Sequence, residues 1–330
     1  MGEFELIEQF FTRPATRAVL GVGDDCALVQ PRSGMQMAIS TDMLVCERHF
    51  FADADPYGLG HKALAVNLSD LAACGATPIA FTLALALPDV RPEWLEPFSR
   101  GLFALADAHQ CELIGGDTTR GPLTISITVF GDVPPGLALL RSGAREHDDI
   151  YVSGTLGDAA LGLDERRGKL PVGLPDWSAE QLSRAHLRMD RPTPRVALGI
   201  ALRGVASAAA DISDGLSGDL GHILKKSGVG ATLFAEPLLA CMMWPDGATP
   251  QAASVLLRYV LAGGDDYELV FTAPPERRLQ VARAASDSNT VVTRIGQITR
   301  AAGLRVIDPQ GNAVETPFSS FDHFAPSSQE

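Results

Sequence analysis

The feature that most constrains this chain is a short pattern that keeps returning: an apolar segment that ends in Gly, Ser or Thr and passes directly into aspartate. It stands at Gly23-Asp24-Asp25, Ser40-Thr41-Asp42, Ser69-Asp70, Gly115-Gly116-Asp117, Asp211 to Asp214, and Gly263-Gly264-Asp265-Asp266. Aspartate is a weak strand former and costly to bury, so its repeated placement at the ends of core-forming segments demands a compensating partner. Carboxylates beside hydroxyls suit a hard cation, Mg²⁺ above all, which takes oxygen ligands and shares its shell with a nucleotide's phosphates. The small neighbours let backbone and phosphate approach closely. One such dipeptide alone is an ordinary turn or helix cap. Six of them, spread over both halves of one chain, point to metal and phosphate chemistry.

The 330 residues, 46% of them apolar, suffice for two domains with their own cores. Against 27 basic residues stand 40 acidic ones, a formal charge of −13, which disfavours nucleic acid as a partner and favours cations. Cys26, Cys46, Cys74, Cys111 and Cys241 are odd in number and contain no CxxC pair, so neither a disulfide framework nor a zinc site is expected, and a reducing cytoplasm fits. The apolar run Ile79 to Leu87 is too short to span a bilayer. The start, MGEFELIEQFF, lacks the basic opening of a signal peptide. No membrane association is expected.

Strand patterns at Met35–Thr41 and Ile79–Leu87 alternate with helix patterns from Asp55-Pro56 to about Gly75 and from Pro92 to about His109. Glu112–Ile114 and Leu123–Val133 read as strands joined by a Gly-rich turn. Pro134-Pro135-Gly136 then punctuates the chain, giving an N-terminal domain over 1–138 and a C-terminal domain over 139–330. In the second domain helices are predicted at about 157–167, 178–188, 194–204, 217–227 and 250–262, with strands at Ala208–Ile212 and Tyr267–Thr272. Gly168–Asp176 reads as a loop and Ala325–Glu330 as a tail. The fold class is α/β (α+β) in two domains.

Within the first helix, Asn67, Asp70 and Cys74 share a stripe beside Ala63 and Val66, which sets Asp70 at the edge of a buried face, as a metal ligand or as half of a salt bridge. Common nucleotide and hydrolase signatures are missing. Gly21 to Cys26 fails the GxGxxG fingerprint at its last position, and Gly162 to Leu170 fails the P-loop in spacing. HExxH and GxSxG do not occur. His49 beside two phenylalanines is a structural residue or a ligand contact. Arg141 is a solvated loop residue or a phosphate clamp, and Phe321 packs on its domain or meets a ligand.

In order, Gly-Val-Gly-Asp-Asp-Cys-Ala (21–27), Ile-Ser-Thr-Asp-Met-Leu-Val (39–45), His49-Phe50, Asn-Leu-Ser-Asp-Leu-Ala-Ala-Cys-Gly-Ala (67–76), Gly-Gly-Asp-Thr-Thr-Arg-Gly (115–121), Asp-Ile-Ser-Asp-Gly-Leu (211–216) and Gly-Gly-Asp-Asp-Tyr-Glu-Leu (263–269) resemble the bacterial thiamine-monophosphate kinases. With the closing Phe-Asp-His-Phe (321–324), they favour that family over the related aminoimidazole-ribonucleotide synthetases, selenophosphate synthetases and a hydrogenase maturation factor. The resemblance implies an aminoimidazole-ribonucleotide-synthetase-like fold whose N-terminal domains pair into a β-barrel in a homodimer. It implies ATP-dependent phosphorylation of thiamine monophosphate to thiamine diphosphate, with several Mg²⁺ ions and ATP as co-substrate. It carries Asp25, Ser40, Thr41, Asp42, Asp70, Asp117, Asp211 and Asp214 to the metal set. Gly116, Asp117, Arg141 and Ser213 become nucleotide contacts, and His49, Asp265 and Phe321 become thiamine contacts, with no separate catalytic side chain. Asp265 stands where the family also uses Glu, and Phe321 where Tyr or Trp is common. An ATP-dependent synthetase and a nucleotide-sensing dimer are the competing readings.

Overall fold

The computed structural model describes residues 2–171, 176–243 and 252–315, and the chain divides into two compact units, 1–138 and 139–330. No helix among the described residues is long and apolar enough to cross a membrane. The first unit runs α1 (Glu3–Phe10), β1 (Gln36–Val45), α2 (Pro56–Ala73), β2 (Thr77–Leu87), α3 (Pro92–Ala108), β3 (Glu112–Arg120) and β4 (Thr124–Val133). Its sheet has the order β1-β4-β2-β3. Strand β4 is antiparallel to both neighbours, and β2 and β3 are parallel, which requires the α3 crossover between them.

Helix α2 begins where its sequence says it must. The Asp55 side chain accepts from the Gly58 N–H at 2.9 Å and Pro56 fills the first turn. It ends in a Schellman arrangement, with Gly75 at φ +66°, Gly75 N donating to Ala72 O and Ala76 N to Leu71 O. The helix is apolar nearly all round because it lies between the sheet and α3. The core it shares contains Leu64, Leu68, Phe81, Leu85, Phe98, Leu102, Ile125 and Ile127. Contact with α3 is reciprocal: a methyl group at Gly60 would overlap the Phe98 carbonyl, and one at Gly101 the Tyr57 carbonyl. On the other face of the sheet, alternate residues of β1, namely Met37, Ile39 and Met43, are exposed.

The second unit runs β5 (Asp149–Ser153), α4 (Asp158–Arg166), α5 (Ala179–Asp190), α6 (Val196–Ala201), β6 (Ala208–Ile212), α7 (Leu216–Ser227), β7 (Gly230–Phe234), α8 (Ala235–Leu239), α9 (Ala253–Ala262), β8 (Glu268–Ala273), α10 (Arg278–Asp287), β9 (Val292–Thr299) and β10 (Gly303–Ile307). Its sheet order is β10-β7-β9-β5-β8-β6, and only β10 and β7 are parallel. Ile150, Val152, Ala208, Ala210, Ile212 and Val270 point one way, into a core with Leu216, Leu220, Ile223, Leu256 and Val260. Tyr151 and Phe271 point the other way and stack, with ring centroids 5.2 Å apart. Both units are mixed α/β, with more antiparallel than parallel pairing.

Two sequence expectations need correction. Gly115-Gly116-Asp117 is not a turn: β3 runs unbroken to Arg120, and the turn falls at residues 121–123. Gly116 serves the sheet. Gly116 has φ +149° and lies opposite Leu83, whose carbonyl a side chain there would strike. Strand β1 also continues to Val45, past the expected end at Thr41.

The glycine contact between α2 and α3 makes a direct test of this packing. Gly101→Val should lower stability by about 2–3 kcal/mol, seen as a fall of several degrees in Tm. An unchanged Tm would contradict the close helix approach.

Candidate active site

In the first unit Asp42 and Asp70 lie along the seam between β1 and α2. Ser40 and Asp42 share one face of the strand. The Ser40 hydroxyl donates to Asp70 Oδ2 at 2.5 Å. Asn67, one turn before Asp70, accepts the Asp42 N–H at 3.0 Å and donates its amide to Ala63 O at 3.0 Å. A fully buried amide thus fixes the backbone of Asp42, while a hydroxyl aims Asp70. Ser40, Asp42 and Asp70 offer oxygen donors along this seam, the donor type that suits a hard cation.

Other members of the expected set lie elsewhere. Strand alternation sends Thr41 to the opposite face, where its hydroxyl pairs with Thr128 at 2.8 Å. Asp25 is exposed in the loop before β1, with its N–H on Asp24 Oδ1. Asp117 is exposed on β3, opposite Ala84. His49 closes the turn after β1: its Nδ1 accepts the Val45 N–H at 3.0 Å, so the neutral ring carries its proton on Nε2.

In the second unit, β6 delivers Asp211, which is buried, into the loop that carries Ser213 and Asp214. Both of their N–H groups donate to Asp219 Oδ2, each at 3.1 Å. Burial pushes the Asp219 carboxyl up to about 6; the Asp214 N–H opposes that rise, the Asp214 charge adds to it, and Arg141 opposes it. Arg141 is exposed, and its charge reaches Asp219 beneath this loop. The 263–267 turn closes on the same loop, with Asp265 N donating to Ser213 O at 2.8 Å and Tyr267 N to Ile212 O at 2.9 Å. Asp265 is half-buried with φ +71°. The expected Phe321 contact lies outside the described residues.

Asn67 and Asp219 act here without having been singled out as site residues by sequence. Asn67 shares the Asp70 stripe, and Asp219 is an acid in the first turn of α7, so each had a local signal. Among the described residues, no three His, Cys, Asp or Glu side chains stand together as a ready cation cage. Partial sets of this kind suit Mg²⁺ that completes its shell with substrate phosphates and water.

Residues 23–133 match the AIR synthase related protein N-terminal domain, and residues 145–309 match the corresponding C-terminal domain. The chain is 47% identical over 331 residues to thiamine-monophosphate kinase of Salmonella typhimurium, and 41% identical over 343 residues to that of Haemophilus influenzae, covering 98% of both chains in each case.

The chain belongs to the thiamine-monophosphate kinase family.

The solved structure of thiamine-monophosphate kinase from Stenotrophomonas maltophilia K279a superposes with a TM-score of 0.81 at 43% identity, covering 95% of this chain and 98% of that one. AaThiL complexed with AMPPCP and TMP gives a TM-score of 0.72 at 29% identity, covering 89% of each chain. Hydrogenase maturation protein HypE in complex with ATP shares the fold, with a TM-score of 0.75 at 19% identity. Within this kinase-family chain, the first matched domain contains Asp25 through Asp117 and the second contains Asp211 through Asp265. Arg141 falls between them.

Asp219 provides the test of the second unit's loop. Asp219→Ala leaves two backbone N–H groups without their acceptor and should cost about 1–3 kcal/mol in urea unfolding. A variant as stable as the parent would show that the loop does not depend on this carboxylate.

Proposed function

We propose that this chain transfers the γ-phosphoryl group of ATP directly to the phosphate of thiamine monophosphate, forming thiamine diphosphate and ADP. The observation that carries the reading is the oxygen-rich β1–α2 seam, with Ser40 on Asp70 and Asn67 on Asp42, in a chain 47% identical to a thiamine-monophosphate kinase over nearly its whole length.

An oxygen of the acceptor phosphate forms a bond to the γ-phosphorus as the bond to the β–γ bridging oxygen breaks. That acceptor is already ionised, so no side chain need remove a proton, and the protein's task is alignment and charge neutralisation. When bound, Mg²⁺ offsets the repulsion between the two polyanions. Asp42, Asp70 and Ser40 are the residues to hold it in the first unit, with Asp25 and Asp117; Asp211 and Asp214 serve in the second. Thr41 is kept in this set on the resemblance alone, since its hydroxyl meets Thr128 on the opposite face of the strand. Gly116, Asp117, Arg141 and Ser213 are assigned to the nucleotide, Arg141 as a phosphate clamp. His49 and Asp265 are assigned to the thiamine moiety, where the Asp265 carboxylate answers the thiazolium charge. Phe321 supplies a π face in the same role. Residues 1–138 take the ATP, metal and dimerisation roles, and 139–330 complete the nucleotide and substrate contacts. Five free thiols accord with a cytoplasmic setting.

Purified protein with ATP, Mg²⁺ and thiamine monophosphate should yield ADP and thiamine diphosphate in equal amounts, followed chromatographically, and free thiamine should yield neither. Product from free thiamine, or ADP without thiamine diphosphate, would sink the reading. Asp42→Asn should reduce kcat by about 100-fold or more with an unchanged circular dichroism spectrum; near-normal turnover would remove Asp42 from the metal set.

The exposed row Met37, Ile39 and Met43 supports a homodimer in which this sheet face meets its copy and closes a barrel. Ile39→Glu should shift the mass found by light scattering from dimer to monomer. A dimeric Ile39→Glu variant would place the interface elsewhere.

A further inference from the structure

We propose that Arg188 and Asp266 are positioning residues for the substrate: together they clamp the 263–267 turn from its buried side and so set where Asp265 stands. This rests on the assignment of Asp265 to the thiamine moiety made above.

The turn holds a backbone that does not persist unaided. Asp265 and Tyr267 both adopt positive φ, +71° and +50°, and two non-glycine residues in that region require surroundings that over-determine them. Its outer restraints are the bonds to Ser213 and Ile212 already described. The inner restraints converge on Asp266 and Glu268, each fully buried. Gly157 N donates to Asp266 Oδ2 at 2.8 Å. One nitrogen of Arg188, Nη2, donates both to the Asp266 carbonyl at 2.8 Å and to Glu268 Oε1 at 2.9 Å. Arg195 grips both Glu268 oxygens at 2.6 Å, and Ser153 donates to Oε2 at 2.5 Å. Arg188 is thus the link that reads the backbone of the turn and the root of β8 at once.

This cluster is more polar than packing alone requires. Asp266 Oδ1 and Arg188 Nε are buried with no hydrogen-bond partner, an arrangement that costs stability and that an apolar pair of similar volume would avoid. What the polar pair supplies is direction: a planar guanidinium and a short carboxyl fix the turn at its carbonyl and at its side chain simultaneously. Burial also drives the Asp266 carboxyl well above the ordinary range, so asparagine imitates its neutral form closely.

The test is a kinetic cycle on the full-length enzyme with thiamine monophosphate and ATP. Arg188→Lys keeps the positive charge but loses the fork, and Asp266→Ala loses the Gly157 tether. Each should raise KM for thiamine monophosphate about tenfold, with kcat and KM for ATP within about twofold of the parent. Asp266→Asn should stay near the parent in all three. Adding Arg188→Lys to Asp265→Asn should worsen KM no further, because the first acts through the second. If Arg188→Lys is insoluble, Asp266→Ala takes its place in the cycle. A raised KM in Asp265→Asn beside an unaltered KM in Arg188→Lys and Asp266→Ala, or fully additive effects, overturns the positioning role alone. An unaltered KM in Asp265→Asn overturns the assignment of Asp265, and the inference with it.

Discussion

The carboxylates proposed to hold the metal must be fixed in place and still present their oxygens to it. At the β1–α2 seam two neutral groups contribute to that holding. The Ser40 hydroxyl orients Asp70, and the Asn67 amide fixes the backbone of Asp42. The neighbouring structure follows from that need. Asn67 can serve only if α2 lies tight on the sheet, where Gly131 of β4 leaves room for Leu71, and Asp70 meets Ser40 only in the register that β1 keeps with β4.

The second unit solves the same problem with a buried acid in place of an amide. Asp219 accepts the N–H groups of Ser213 and Asp214, so the loop after β6 is fixed by its backbone and its side chains remain available. Full ion pairs are kept beneath the surface of the motif, where Glu268 meets Arg188 and Arg195. The Gly-Gly-Asp-Asp-Tyr-Glu-Leu block therefore divides its labour: Asp265 is half-buried at the turn, while Asp266 and Glu268 are anchors.

Much of this was legible in the sequence because it is local. Asp55-Pro56 announced the start of α2 and Gly75 its end, and the recurring aspartates marked the β1–α2 seam and the loop after β6. Three things were not legible, for physical reasons. Glycines 115 and 116 carry a turn signal, but tertiary pairing with β2 overrides it and makes them strand. Ser40, Thr41 and Asp42 read as one ligand set, yet strand alternation sends the Thr41 side chain to the other face. Arg188 lies about 80 positions from its partners, a pairing that no spacing within one sequence can reveal.

The central claim is that Asp42 and Asp70 of the first unit bind the metal that this phosphoryl transfer needs. The most direct measurement is electron paramagnetic resonance of Mn²⁺ bound in the presence of a non-hydrolysable ATP analogue, comparing the parent with Asp70→Asn. The account predicts more than one Mn²⁺ per chain in the parent and the loss of at least one in the variant. A single bound Mn²⁺, unchanged by Asp70→Asn, would contradict it.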